Sequence, residues 1–178
     1  MSSQVSPAWL ILIYKLPSEP SRLRVAVWRE IRKLGGVYLQ DGVCAFPATL
    51  DMDLNVEGMR ERIVDAGGTG WLFEAGKPWG TAQDELRAMF DEARFEEYRP
   101  VAAGLNRILR HLAKAADHWE LTATELNDIR AEFSRLRQQA RAIAARDYFN
   151  SPAGQAVRSL IQECEATLME RGRTSWSG

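Results

Sequence analysis

The residues in this chain best suited to chemistry are its arginines. On a helical projection of about 100° per residue, Arg22, Arg29, Arg32 and Lys33 gather on one side of the segment from Ser21 to Leu34. Leu23, Val27, Ile31 and Leu34 gather roughly opposite, and Glu30 is the one acid between them. Such a ridge suits phosphate, because each cation set against a nucleic-acid phosphate releases counterions and adds to a salt-dependent affinity. Arginine also offers a planar fork that matches phosphate and carboxylate better than lysine does. A merely solvated helix face has the same pattern, so the ridge supports either reading. Arg24 stands apart. It projects toward the apolar side, near Trp28 and Ile31, where a guanidinium must reach to solvent or find an acidic or carbonyl partner. Arg22 and Arg24 together are a candidate site for an oxyanion such as phosphate.

A second cationic set lies further on. Arg130, Arg137 and Arg141 share a related helical face, with Arg135 and Arg146 nearby and Glu125 and Asp128 close enough to pair. These residues read either as an ion-paired solvated face or as a second nucleic-acid contact. No helix-turn-helix turn precedes them.

Enzyme chemistry has thinner support. His111 and His118 are seven apart on a predicted helix and could share a face, so a haem ligand is the sharpest enzymatic alternative. There is no Ser/His/Asp arrangement, no phosphate-cradling glycine loop and no paired carboxylates. A metal-dependent nuclease on a ferredoxin-like fold would want an aspartate ending the first strand, where this chain has Tyr14-Lys15. Cys44 and Cys164 lie too far apart in sequence for a metal-ligand motif and read as small buried hydrophobes in a reducing compartment. Trp28, Trp71 and Trp119 read as core, and so does Trp79, although its Gly/Pro-rich setting leaves it able to stack on a partner. No cofactor, no metal and no enzymatic activity are expected.

The chain has 178 residues, 46% hydrophobic and 26% charged, with a formal net charge of -1. That is ordinary globular composition with enough apolar material for a core. The charge gives no global attraction to nucleic acid or to anionic membrane, so any basic surface must be local. The apolar run from Trp9 to Tyr14 is too short for a signal sequence or a membrane span. The cytoplasm is the expected location.

The elements that must position these residues follow from periodicity and turn signals. Residues 8–16 form a near-continuous apolar run, the pattern of a central strand buried on both faces. Pro17 to Ser21 break it, and a helix from Ser21 to Leu34 stops at Gly35-Gly36. Val37–Gln40 and Val43–Pro47 flank Asp41-Gly42, which predicts a hairpin with a type I′ turn. A helix from Asp53 to Ala66 and a strand from Gly70 to Ala75 complete β-α-β-β-α-β, the ferredoxin-like order in an α+β fold. Beyond the linker at 76–80 only helical signals appear. They predict one helix or a broken pair over 82–116, with Pro100 as the point of any break, a capping box at Thr122–Glu125 opening a helix to Tyr148, and a last helix from Ser151-Pro152 to Arg171. Leu126, Ile129, Phe133, Leu136, Ala140 and Ile143 recur at three and four, an amphipathic stripe. The organisation expected is a ferredoxin-like domain over 8–76, a helical extension over 81–172 and a disordered tail over 173–178. The stripe and the open sheet face both offer apolar surface for a homodimer.

The stretch from Trp9 through Pro17-Ser18-Glu19-Pro20 to Trp28-Arg29 resembles the opening of the ChrB chromate-resistance family. So does Leu34-Gly35-Gly36-Val37-Tyr38-Leu39-Gln40-Asp41-Gly42-Val43, leading into Phe46-Pro47. The likeness is strongest over 9–47 and thins in the helical half, where Ala144-Ala145-Arg146-Asp147-Tyr148-Phe149 still fits. It implies a transcriptional regulator with DNA binding in this part and chromate sensing in a following domain, beyond the point where this chain stops. A DNA partner, with chromate as a further candidate oxyanion at Arg22 and Arg24, is what the resemblance implies. An interaction or oxyanion-binding accessory protein without DNA affinity is the alternative.

Overall fold

A computed structural model describes residues 9–17, 21–76, 78–118 and 121–174. The chain divides into two compact units, one ending at Phe90 and the other beginning at Asp91.

The first unit is α+β. Strands β1 (Trp9–Lys15), β2 (Val37–Gln40), β3 (Val43–Pro47) and β4 (Thr69–Ala75) alternate with helices α1 (Ser21–Lys33) and α2 (Leu50–Asp65). They form one four-stranded sheet in the order β2-β3-β1-β4, antiparallel at every pairing. Side chains alternate across a strand. Leu10 and Leu12 of β1 therefore face Val27 and Ile31 of α1 and Val56, Met59 and Ile63 of α2, with Cys44 and Phe46 of β3 completing that core. Helix α2 begins three residues before the expected Asp53, because the Thr49 hydroxyl caps it by accepting the Met52 amide proton at 3.3 Å.

Among the described residues of this unit, the opposite sheet face is covered at one end. Trp9 is fully buried; its ring lies 5.4 Å from that of Phe90, and its indole N–H donates to Gln83 at 2.9 Å. Gln83 and Phe90 belong to the first turns of helix α3 (Ala82–His118). This explains why the unit ends inside α3 rather than in the linker at 76–80. Further along β1, Ile13 pairs with Trp71, and Ile11 pairs with Phe73. Trp71 and Phe73 are 55% and 52% exposed. Burial of β1 on both faces thus holds at Trp9 and Leu10 and is gone by Ile13.

The β2–β3 turn also differs from expectation. Gly42 has φ of 72°, while Asp41 is not among the positive-φ residues, so a type I′ turn, which needs both, is excluded. A register shift between Tyr38 and Gln40 supplies the local twist instead. Gly36 precedes β2 where a methyl group would overlap the ring edge of the fully buried Phe46, with Cδ1 at 2.7 Å. Gly36→Ala is expected to destabilise the first unit by about 1–3 kcal/mol through overpacking, read as a lower urea midpoint.

The second unit is helical: the rest of α3, then α4 (Ala123–Ala144) and α5 (Pro152–Thr174). Pro100 sits inside α3 without ending it. Proline removes one intrahelical hydrogen bond and crowds the preceding turn. Here Tyr98, Val101, Leu105, Ile108 and Leu112 are buried along the same helix and hold it through that point. The predicted α4 stripe from Leu126 to Ile143 is buried in this unit's own core, together with Val157, Cys164 and Leu168 of α5. It is therefore not a free surface for a second copy. The capping box at Thr122 and Glu125 is present with both of its hydrogen bonds. Helix α4 ends four residues before the expected Tyr148, for reasons that lie in the polar junction described below. Helix α5 runs to Thr174, past the expected boundary at 172, and residues 175–178 of the expected tail lie outside the described residues. Among the described residues, no helix is long and apolar enough to cross a membrane.

Candidate functional site

Helix α1 carries Arg22, Arg29, Arg32 and Lys33 exposed, on the side away from the buried Val27 and Ile31. Its one acid, Glu30, is ion-paired with Arg62 of α2. Arg22, Arg29 and Lys33 have no acidic partner among the described residues. Three uncompensated cations on one short helix leave a local positive field that the net charge of -1 does not reveal.

Arg24 takes the first of the two expected routes and reaches solvent. It is exposed, with no ion pair among the described residues, and it lines a cavity of about 610 Å3 at the end of β1. Tyr14, Lys15 and Leu16 contribute from β1 and its continuation, Trp28 from α1, and Tyr38, Asp41 and Gly42 from β2 and its turn. Arg22 is not part of this wall, so the expected Arg22–Arg24 pair is not brought together. Trp28 is 46% exposed, not core, and the Arg32 guanidinium lies 5.1 Å from its ring centroid, a cation–π contact. The tyrosine hydroxyls lie 3.2 Å apart and share a hydrogen bond. The amide N–H of Tyr14 donates to the Gly42 carbonyl at 2.7 Å, and a methyl on Gly42 would strike the Tyr14 carbonyl. One wall of the cavity is therefore closely apposed backbone.

Burial raises both phenols above their ordinary 10.0, Tyr38 the more strongly, and it pushes the neighbouring Cys44 thiol from 9.0 up to about 12. A group whose folded pKa is raised keeps its proton in the native state after the unfolded chain has released it, so stability falls as pH rises between the two values. Stability is therefore expected to hold to about pH 8 and to decline from pH 9 upward, most steeply past 10. Urea midpoints measured across that range check this, and Tyr38→Phe should flatten part of the decline.

The second cationic set is divided. Arg137 donates to Glu165 of α5 at 2.8 Å and lies 5.8 Å from the Phe133 ring centroid. It belongs to the contact between α4 and α5. Arg130 and Arg141 are exposed without an acidic partner among the described residues. His111 is exposed, within electrostatic reach of Glu125. The side chain of His118 and all of Trp119 lie outside the described residues, as does the Glu19 segment before α1. Trp79 is 95% exposed and so is not the core residue its type suggested; its Gly/Pro-rich linker setting keeps it at the surface.

A buried polar network in the helical unit escaped the sequence reading. Arg94 is 3% exposed, on α3. It donates to the Arg146 carbonyl at 2.8 Å and to Glu97 at 3.3 Å, and Arg146 in turn grips the other Glu97 oxygen at 2.8 Å. Next to them, Asp147 accepts from both the amide and the hydroxyl of Ser151 at 2.9 Å. The Ser151 hydroxyl accepts the Gly154 amide proton at 3.1 Å, capping α5 just ahead of Pro152. A methyl at Gly154 would strike Asp147. Helix α4 ends at Ala144 because Arg146 and Asp147 leave it to build this junction. A signal was present in the sequence: Arg94 falls four residues before Tyr98 and seven before Val101, in line with the apolar stripe of α3.

A model of the protein family described as "Protein ChrB, N-terminal" matches residues 24–174. The chain belongs to this family. The ChrB match runs through α3, α4 and α5, further into the helical half than the strongest sequence likeness over 9–47. Among curated proteins the chain is similar to Protein ChrB of Cupriavidus metallidurans, at 27% identity over 93 residues, which cover 52% of this chain and 29% of that protein. The aligned part is thus less than a third of the relative's length.

Proposed function

We propose that this ChrB-family chain is the DNA-binding part of a regulator of chromate resistance and that helix α1 makes the contact. The observation that carries the proposal is the row of exposed Arg22, Arg29 and Lys33 on α1, without acidic partners among the described residues, beside Arg32. Family membership supports a regulatory role; the arginine geometry supports phosphate as the group recognised. Arg130 and Arg141 are a second, weaker contact in this reading, and Arg137 is not one. The cytoplasm is the working compartment of such a protein. The first unit is read as ferredoxin-like. This is supported by the β-α-β-β-α-β order and by the placement of β3 between β1 and β2, and of β1 between β3 and β4. A homodimer, if formed, would use the exposed sheet face around Ile13, Trp71 and Phe73, since the α4 stripe is already buried.

The test is a salt series of binding to the promoter DNA upstream of the gene, with a scrambled duplex as control. Specific binding that weakens steeply with salt is the expected result. Absence of binding to either duplex would overturn the proposal.

A further inference from the structure

The cavity at the end of β1 has the features of a ligand site, and nothing in the DNA reading uses it. We infer that it binds a small organic anion: a flat ring carrying one acidic group. Two cations, Lys15 and Arg24, face it with no salt-bridge partner among the described residues, and Asp41 is the one carboxylate among the described residues of its wall. Those residues together carry a single net positive charge, which one acidic group would balance. The Tyr14–Tyr38 pair adds a neutral donor. The Tyr38 hydroxyl has both the Tyr14 oxygen, 3.2 Å away, and the Cys44 thiol as partners, so with Tyr38 donating within the pair it is the Tyr14 proton that remains to be given to a ligand.

The ring requirement comes from Trp28. Its indole is 46% exposed and has no place in the core of α1 and α2. It sits one helical turn from Arg24 on the cavity side and one turn from Arg32, whose guanidinium packs on it. An exposed indole beside two cations offers stacking area to a planar anion. The volume, about 610 Å3, lies in the range of small-molecule sites and is far larger than a bare tetrahedral oxyanion would fill.

The test is calorimetric titration of the full chain, without DNA, with AMP, salicylate and inorganic phosphate. AMP and salicylate carry a ring with different acidic groups; phosphate has no ring. Both ring-bearing anions are expected to saturate a single site, at least tenfold more tightly than phosphate. Arg24→Ala should weaken both at least tenfold, and Arg24→Gln, which keeps much of the side chain's length, should do the same. Trp28→Ala should weaken both while leaving phosphate unaffected. Both residues are exposed, and an unchanged circular dichroism melt verifies that each variant is folded. Three outcomes overturn the inference: no saturable binding of either ring-bearing anion at millimolar concentration, binding insensitive to the Arg24 and Trp28 variants, or phosphate binding as tightly as AMP. Because no DNA is present, failure here leaves the DNA proposal standing, and failure of DNA binding leaves this one standing.

Discussion

Glu97→Ala is expected to lower the stability of the helical unit by about 3–5 kcal/mol, the range for a buried ion pair deprived of one partner. Arg94 and Arg146 share Glu97, and Arg94 is 3% exposed. Burial already works against the charged form of Arg94, and the Glu97 carboxylate is the largest influence opposing that. Removing the carboxylate takes away the largest offset to the buried Arg94 charge and frees Arg146, which helps hold the junction where α4 ends. Glu97→Gln keeps some hydrogen bonding and should cost less. The comparison variant is Glu96→Ala, one residue away. Its partner Arg99 is 65% exposed, so the loss should be under about 1 kcal/mol. Urea unfolding followed by helical circular dichroism gives all three values. Equal, small effects at positions 96 and 97 would show that the network is not the buried keystone of the junction.

Replacing Arg22 and Arg29 together by alanine should reduce the salt slope of DNA binding by about two, at roughly 0.9 for each phosphate left without its cation. Scaled to physiological salt, that corresponds to about a thirtyfold weaker complex, uniform across DNA sequences. Both side chains are exposed on α1 and contribute nothing to the core, so the thermal melt should not move. Arg137→Ala is the informative contrast. Its guanidinium is engaged by Glu165 at 2.8 Å, and its removal should leave the slope as it was. A slope unchanged by the Arg22 and Arg29 double substitution would remove α1 from the interface, even if the protein binds DNA.

Local signals in the sequence determined much of this architecture. Gly35-Gly36 after α1, the Thr122–Glu125 box and Ser151-Pro152 each satisfy or terminate a helix end within a few residues. They located those boundaries closely. The α4 stripe, at spacings of three and four, named the buried residues correctly because one helix face is a property of one segment. The cationic ridge was equally legible, since a residue on a helix opposite the core stripe must be exposed.

What the sequence left open depended on neighbours distant in the chain. Pro100 reads as a helix break by local rules, and only the buried row from Tyr98 to Leu112 sustains the helix through it. Trp28 and Trp71 read as core by residue type; their exposure depends on which sheet face the helices cover and where α1 meets the end of β1. Arg24 is four residues from Trp28 but far in sequence from Tyr38 and Asp41, so its cavity exists only once β2 folds back beside β3. The Arg94–Glu97–Arg146 network spans about fifty residues of chain, from α3 to the α4–α5 junction. A charge on an apolar stripe signals that it must either reach solvent, as Arg24 does, or find a partner, as Arg94 does, because an unpaired buried charge is prohibitively costly. Only the tertiary structure decides which residue that partner is.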